Sequence, residues 1–105
     1  MDAEKGCWAV IFSSKRRAGD DQAYGATAER MVALAQRQEG FLGIHSARGS
    51  DGFGITVSYW RTEADIARWR ADAEHLAAQA MGRERFYEAY ELVVARVERT
   101  RAWPG

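Results

Sequence analysis

Two apolar periodicities alternate along this chain of 105 residues, and their order constrains the fold more than any other feature. Short runs rich in β-branched and aromatic residues predict strands over residues 7–14, 41–48, 53–60 and 90–99. Apolar residues spaced three and four apart predict helices over residues 20–38 and 62–82. The predicted order is strand, helix, strand, strand, helix, strand.

Local signals bound these elements. Asp20 can cap the first helix, and Gly40 lies just beyond its end. Asp51-Gly52 favours a tight reversal between the two middle strands, and Thr62 followed by Asp65 forms a capping-box pattern. We therefore predict an α+β fold of the ferredoxin-like kind, βαββαβ. It is one domain over residues 1–105, with both helices on one face of an antiparallel four-stranded sheet.

The first and last strands are apolar on both of their faces. Trp8 and Val10 alternate with Ala9 and Ile11, and the last strand repeats this pattern. Two helices can cover only one face of the sheet, so the other face needs a different cover. Because the chain has no spare element, this predicts a homodimer through the open sheet face. A monomer that exposes an apolar sheet is the alternative.

The charge balance excludes some classes of partner. Fifteen basic and fifteen acidic residues cancel and are interspersed, which argues against a nucleic acid or an anionic membrane as partner. One short basic run, Lys15-Arg16-Arg17, is interpreted as a solvated strand end.

Cysteine and histidine are scarce. Cys7 is the only cysteine and the chain has two histidines, so a disulfide framework is excluded and we expect no metal site. The N-terminal residues lack the apolar core of a signal peptide, and no apolar run approaches the roughly 20 residues of a membrane span. These features predict a cytoplasmic protein.

A set of motifs spans most of the chain. It comprises residues 52–60 ending in Tyr59-Trp60, then Trp69, Ala73-Glu74-His75-Leu76, Ala78-Gln79, Gly82-Arg83, Phe86-Tyr87, Tyr90 and residues 94–99. In this pattern the sequence resembles the antibiotic-biosynthesis-monooxygenase family, best known for dimeric α+β barrels that oxidise polycyclic aromatic compounds. The resemblance implies a cofactor-independent monooxygenase that needs neither a metal nor a flavin. It would use dioxygen to oxidise a small aromatic or quinol-type substrate.

The resemblance also suggests catalytic roles for two residues. His75 flanks the apolar stripe of the second helix and can serve as a base near neutral pH. Arg83 follows Gly82 and can stabilise an enolate or a peroxide anion. The alternatives are a half-exposed histidine paired with Glu74, and a surface arginine that balances nearby glutamates.

Three aromatic residues are the candidates for substrate binding: Trp60, Trp69 and Tyr87. They would form the walls of a flat apolar pocket between the sheet and the helices, although large aromatic residues are equally expected in a core. Since Tyr59 and Trp60 alternate across the sheet, we expect Trp60 to line the pocket and Tyr59 to face the dimer interface or a neighbouring strand.

Two departures from the family bear on function. The sequence has no asparagine, a residue that some family members place in the pocket. The step from Trp69 to His75 is also shorter than the corresponding step in haem-degrading relatives. A non-catalytic small-molecule binding or sensing dimer is therefore the main alternative function, and haem handling ranks third.

Overall fold

The structure, a computed structural model, describes residues 5–79 and 85–105; for residues 75 and 77–79 it describes the backbone alone. The strands are β1 (Trp8–Arg16), β2 (Phe41–Arg48), β3 (Phe53–Trp60) and β4 (Tyr87–Arg96). The helices are α1 (Asp21–Gln36) and α2 (Glu63–Gln79). The order βαββαβ confirms the predicted fold class. No helix within the described ranges is long and apolar enough to cross a membrane.

The four strands form one antiparallel sheet in the order β2-β3-β1-β4. Val10 of β1 lies opposite Ser58 of β3 and Val94 of β4, so these three side chains share a face. That face packs on the helices, because Val10 and Trp60 form a buried cluster with Ala35 of α1 and Ile66 of α2. The opposite face has no cover from the described part of this chain.

The two helices begin in different ways. At α2 the Thr62 hydroxyl accepts a hydrogen bond from the Asp65 backbone N–H (3.1 Å), as predicted for a helix cap, and it donates one to the Asp65 carboxylate (2.9 Å). At α1, Asp20 occupies the predicted cap position but makes no side-chain cap bond. Its carboxylate instead accepts a hydrogen bond from Arg85 Nε at 3.1 Å. This contact ties the start of α1 to the segment before β4 and lowers the pKa of Asp20.

The turn before β2 depends on a close approach to α2. Gly40 has φ +86°, and a Cβ added there would clash with the carboxylate of Asp65. Only glycine fits both the left-handed backbone and this contact. The packing of Gly40 on Asp65 therefore fixes α2 against the end of the loop that follows α1.

The bounds of two strands, β1 and β4, differ from those predicted. β1 continues through Lys15 and Arg16, and β4 begins at Tyr87 rather than at Tyr90. A register shift between Lys15 and Arg16 brings Arg16 opposite Tyr87. The interpretation of Arg16 as part of a solvated strand end is wrong, since its side chain is only 14% exposed. Pairing with β4 and contact with α1 bury its stem.

Candidate functional site

A cavity of about 200 Å³ lies between the sheet and the helices. The sheet supplies Val10, Phe12, Ile44, Ser46, Thr56, Ser58, Tyr87 and Leu92, and the helices and the segment before β4 supply Tyr24, Thr27, Ala28, Met31, Val32, Trp69, Ala73 and Phe86. Ser46 is exposed and its hydroxyl lies 2.8 Å from that of Thr56, so the cavity meets solvent beside this pair. Mostly apolar walls with a few polar groups are typical of a small-molecule site.

Two tryptophans form adjacent layers at one wall. Trp69 of α2 lines the cavity, and Trp60 of β3 packs behind it with 5.1 Å between the ring centroids and 31° between the ring planes. Trp60 is completely buried and donates a hydrogen bond from Nε1 to Ser58 Oγ at 2.9 Å. Trp60 faces the helices as predicted, but it does not form part of the cavity wall. It supports the ring of Trp69 instead.

The indole N–H of Trp69 has no hydrogen-bond partner among the described residues, although its nitrogen is buried. A buried donor without an acceptor is energetically unfavourable and is rare in folded proteins. Trp69 belongs to the cavity wall, but its indole nitrogen is buried and is not exposed to the cavity. At this residue the wall therefore offers aromatic surface rather than an accessible N–H donor.

Two tyrosines at another part of the cavity wall lie against two arginines that are not themselves lining residues. The ring centroids of Tyr24 and Tyr87 are 6.0 Å apart. Arg16 Cζ lies 3.8 Å from the Tyr24 ring centroid, and Arg48 Cζ lies 5.8 Å from the Tyr24 centroid and 5.9 Å from that of Tyr87. These distances are those of cation–π contacts.

The environment of Tyr87 changes its acidity. Burial raises the pKa of the Tyr87 phenol above its ordinary value, and the hydrogen bond with Tyr24 raises it further. The positive charges of Arg48 and Arg16 act in the opposite direction but are smaller effects. Tyr87 therefore stays protonated at neutral pH and is suited to donate a hydrogen bond within the cavity, not to act as a base.

The five predicted site residues differ in where they lie relative to the cavity and in how far the structure describes them. Trp69 and Tyr87 both line the cavity. His75 lies on α2, two residues beyond the cavity residue Ala73, and its side chain lies outside the described residues, as does Arg83 entirely. Tyr59 lies on the sheet face away from the helices, 6.0 Å from the His45 ring, in agreement with its prediction.

Sequence reasoning missed Tyr24, Arg16 and Arg48 as site residues. Tyr24 was visible only as one member of an apolar helix stripe, and Arg16 as part of a basic run. Arg48 follows Ile44 and Ser46 at alternate positions of β2, so the alternation of the strand could have placed it on the helix-facing side. Among the residues that the structure describes, no group of His, Cys, Asp and Glu is arranged to hold a metal ion.

Comparison with known proteins identifies a protein family whose model matches this chain. The family model described as Antibiotic biosynthesis monooxygenase matches residues 8–81. The chain is 53% identical over 94 residues to the uncharacterized protein YqjZ of Bacillus subtilis. The aligned region covers 90% of this chain and 82% of YqjZ.

A second curated relative and a solved structure are more distant. The chain is 29% identical over 92 residues to jasmonate monooxygenase ABM of Pyricularia oryzae, covering 86% of this chain but 43% of that longer protein. The fold matches the crystal structure of SnoaB, a cofactor-independent oxygenase from Streptomyces nogalater, with a TM-score of 0.73 and 16% identity. That match covers 90% of this chain and 96% of the SnoaB chain.

Proposed function

The chain belongs to the antibiotic biosynthesis monooxygenase family, and from this premise we propose that it is a cofactor-independent monooxygenase. It acts with dioxygen on a small aromatic or quinol-type substrate that binds in the cavity between the sheet and the helices. The observation that carries the proposal is the cavity itself, a largely apolar space of about 200 Å³ whose wall includes Trp69. The naming of SnoaB as a cofactor-independent oxygenase supports the absence of a cofactor.

The reaction balances without an external reductant. One oxygen atom of dioxygen enters the substrate and the other leaves as water, while the substrate supplies four electrons and two hydrogens. A ring methylene thereby becomes a carbonyl, or a quinol becomes a hydroxyquinone. The protein holds the ring, removes a proton so that the substrate anion can reduce dioxygen, and stabilises the negative charge that develops on oxygen.

The residues share these tasks in our proposal. Trp69 and Tyr87 contact the substrate, and Trp60 acts through Trp69 by holding its ring in place. His75 removes or relays the substrate proton, and Arg83 stabilises the oxygen charge. The support for His75 is its position on α2, since that helix contributes Trp69 and Ala73 to the cavity wall.

Isotope-labelled dioxygen tests the proposal. The purified protein is treated with a chelator and then incubated with anthrone and with substituted hydroquinones under ¹⁸O₂. We expect dioxygen uptake above the rate of autoxidation and one labelled oxygen atom per molecule of product by mass spectrometry. Uptake that disappears after the chelator treatment would contradict the cofactor-independent mechanism.

A specific observation favours the binding function as the second candidate. The tyrosines are the only titratable side chains among the described residues that line the cavity, and tyrosine is a poor base at neutral pH. If no member of the panel is oxidised but the same compounds bind at one site per chain, the protein is a small-molecule binding or sensing protein.

We also propose that the protein is a homodimer through the open sheet face. Phe53, Ile55 and Val93 lie on the face away from the helices and are 49%, 42% and 40% exposed. Contiguous exposed apolar side chains on a sheet favour a cover. A second copy of the same face would bury all of them in one symmetric interface.

A further inference from the structure

Arg48 is a half-buried cation without a carboxylate partner. Its guanidinium donates to the backbone oxygens of Gly52 (2.6 Å) and Ser14 (3.2 Å) and to the Ser14 hydroxyl (2.8 Å). All three acceptors are neutral. Within the described residues, Arg48 makes no ion pair, whereas Arg16 of the same cluster pairs with Asp21 at 3.0 Å.

Three hydrogen bonds hold this guanidinium in place. Gly54 lies opposite Arg48 across β2 and β3, and a Cβ at Gly54 would lie 2.7 Å from Arg48 Cζ, so a larger residue there would push the guanidinium away from its partners. Because half-burial of an unpaired charge is unfavourable, a site that holds one rigidly is suited to an anion that comes from outside the chain.

Two phenol rings of the cavity wall lie close to the positive charge of Arg48. The rings of Tyr24 and Tyr87 both line the cavity and both lie within 6 Å of Arg48 Cζ. Each phenol carries one O–H that can donate a hydrogen bond to a ligand. The phenol pair therefore presents a donor beside a positive charge, the combination that binds an oxygen anion.

We propose that Arg48, Tyr24 and Tyr87 form the anion-binding end of the cavity and select small apolar ring compounds that carry one ionised oxygen. The rest of the wall, from Met31 to Trp69, contacts the apolar body of the ligand. This proposal rests on the proposed function because it concerns the same cavity, but it specifies which molecules bind rather than whether they are oxidised.

Binding without dioxygen tests the selection. The probes are 2-hydroxy-1,4-naphthoquinone, an anion at neutral pH, and its neutral methyl ether. A second pair is 1-naphthoate with neutral 1-naphthamide. Affinities are measured anaerobically by quenching of tryptophan fluorescence. We expect at least one anion to bind roughly tenfold more tightly than its neutral partner. The pair that shows the preference identifies an acidic hydroxyl or a carboxylate as the bound group.

Variants assign the preference to Arg48. Arg48→Gln keeps hydrogen-bond donors but removes the charge, so the anion should lose about tenfold in affinity while the neutral partner keeps its own. Arg37→Gln, at an exposed position after α1, is the matched control and should change neither. Equal loss for both members of a pair would mean that Arg48 only maintains the shape of the cavity, and it would overturn the proposal.

A measurement on the unmodified protein covers the case in which Arg48→Gln does not fold. The hydroxynaphthoquinone changes colour on ionisation, so its pKa can be read from visible absorption when it is free and when it is bound. We expect the bound pKa to be lower than the free value. An unchanged or raised value contradicts the proposal, whatever the outcome of the oxygenase assay.

Discussion

The rings of Trp60 and Trp69 pack 5.1 Å apart between centroids, yet of the two only Trp60 has a partner for its indole N–H among the described residues. Trp60 is fully buried in the core, whereas Trp69 belongs to the cavity wall and keeps its N–H buried without an acceptor. We therefore expect Trp60 to contribute mainly to stability and Trp69 mainly to ligand binding.

The two tryptophans should respond differently to the same substitution. Trp60→Phe leaves a cavity and removes the bond to Ser58, which should destabilise the fold by roughly 1–3 kcal/mol. Trp69→Phe removes a buried donor that has no partner among the described residues, so it should cost less than about 1 kcal/mol. It also reduces the aromatic surface of the cavity wall and should weaken ligand binding severalfold. Urea unfolding and fluorescence titration of both variants test this. Equal destabilisation with unchanged binding would refute it.

Two glycines should respond with opposite sign to alanine. Gly40→Ala places a Cβ against Asp65 at a positive φ, which should destabilise the fold by about 2 kcal/mol or more. Gly25 lies within α1, and nothing lies within 4 Å of a Cβ added there. Gly25→Ala should therefore stabilise the fold by roughly 0.5–1 kcal/mol. Thermal unfolding of both variants tests the difference, and a stabilised Gly40→Ala protein would contradict the packing on Asp65.

Alkaline pH should reveal the environment of Tyr87. Because the pKa of Tyr87 is raised in the folded state, its contribution to stability is complete below the unfolded value of about 10 and is lost as the pH rises above it. The free energy of unfolding should fall above that pH in the native protein and fall less in Tyr87→Phe. Denaturant titrations at several alkaline pH values measure this.

The hydrogen bond with Tyr24 provides the control for Tyr87. Tyr24→Phe removes one cause of the raised pKa, so Tyr87 should ionise at a lower pH, as measured by the ultraviolet absorbance of tyrosinate. An unchanged titration would show that the Tyr24 hydroxyl has no effect on the Tyr87 phenol.

The dimer predicts twice the 11.8 kDa chain mass in sedimentation equilibrium. Ile55→Asp introduces an unpaired charge on the open sheet face and should give monomers with lower stability, since burial of such a charge costs several kcal/mol. Ala26→Asp, on the exposed side of α1, is the control and should remain dimeric. A native protein that sediments as a monomer would contradict the proposed dimer interface.

The proposed base predicts a large loss of turnover. His75→Ala should lower dioxygen uptake by about 100-fold to 10,000-fold, the usual contribution of general acid–base catalysis. The other histidine, His45, lies on the opposite face of the sheet beside Tyr59, so His45→Ala should retain turnover. Circular dichroism checks that both variants are folded. If His75→Ala matches the native protein, His75 has no catalytic role.

The sequence by itself was sufficient for the fold class. Strand and helix periodicities depend on neighbours within a few positions, and the bounds of β2 and β3 agree with those predicted. The Thr62–Asp65 cap was predictable for the same reason, because its two partners lie within one helical turn. The separation of Tyr59 from Trp60 follows from strand alternation alone.

Tertiary structure decided the polar end of the cavity. Arg16, Tyr24, Arg48 and Tyr87 come from β1, α1, β2 and β4, and their meeting depends on sheet order and on the register shift beside Arg16. It also decided that Trp60 lies behind Trp69, because periodicity gives the face of a residue but not its depth. Local patterns record which side of an element is apolar, whereas contacts between distant segments are set only when those elements pack together.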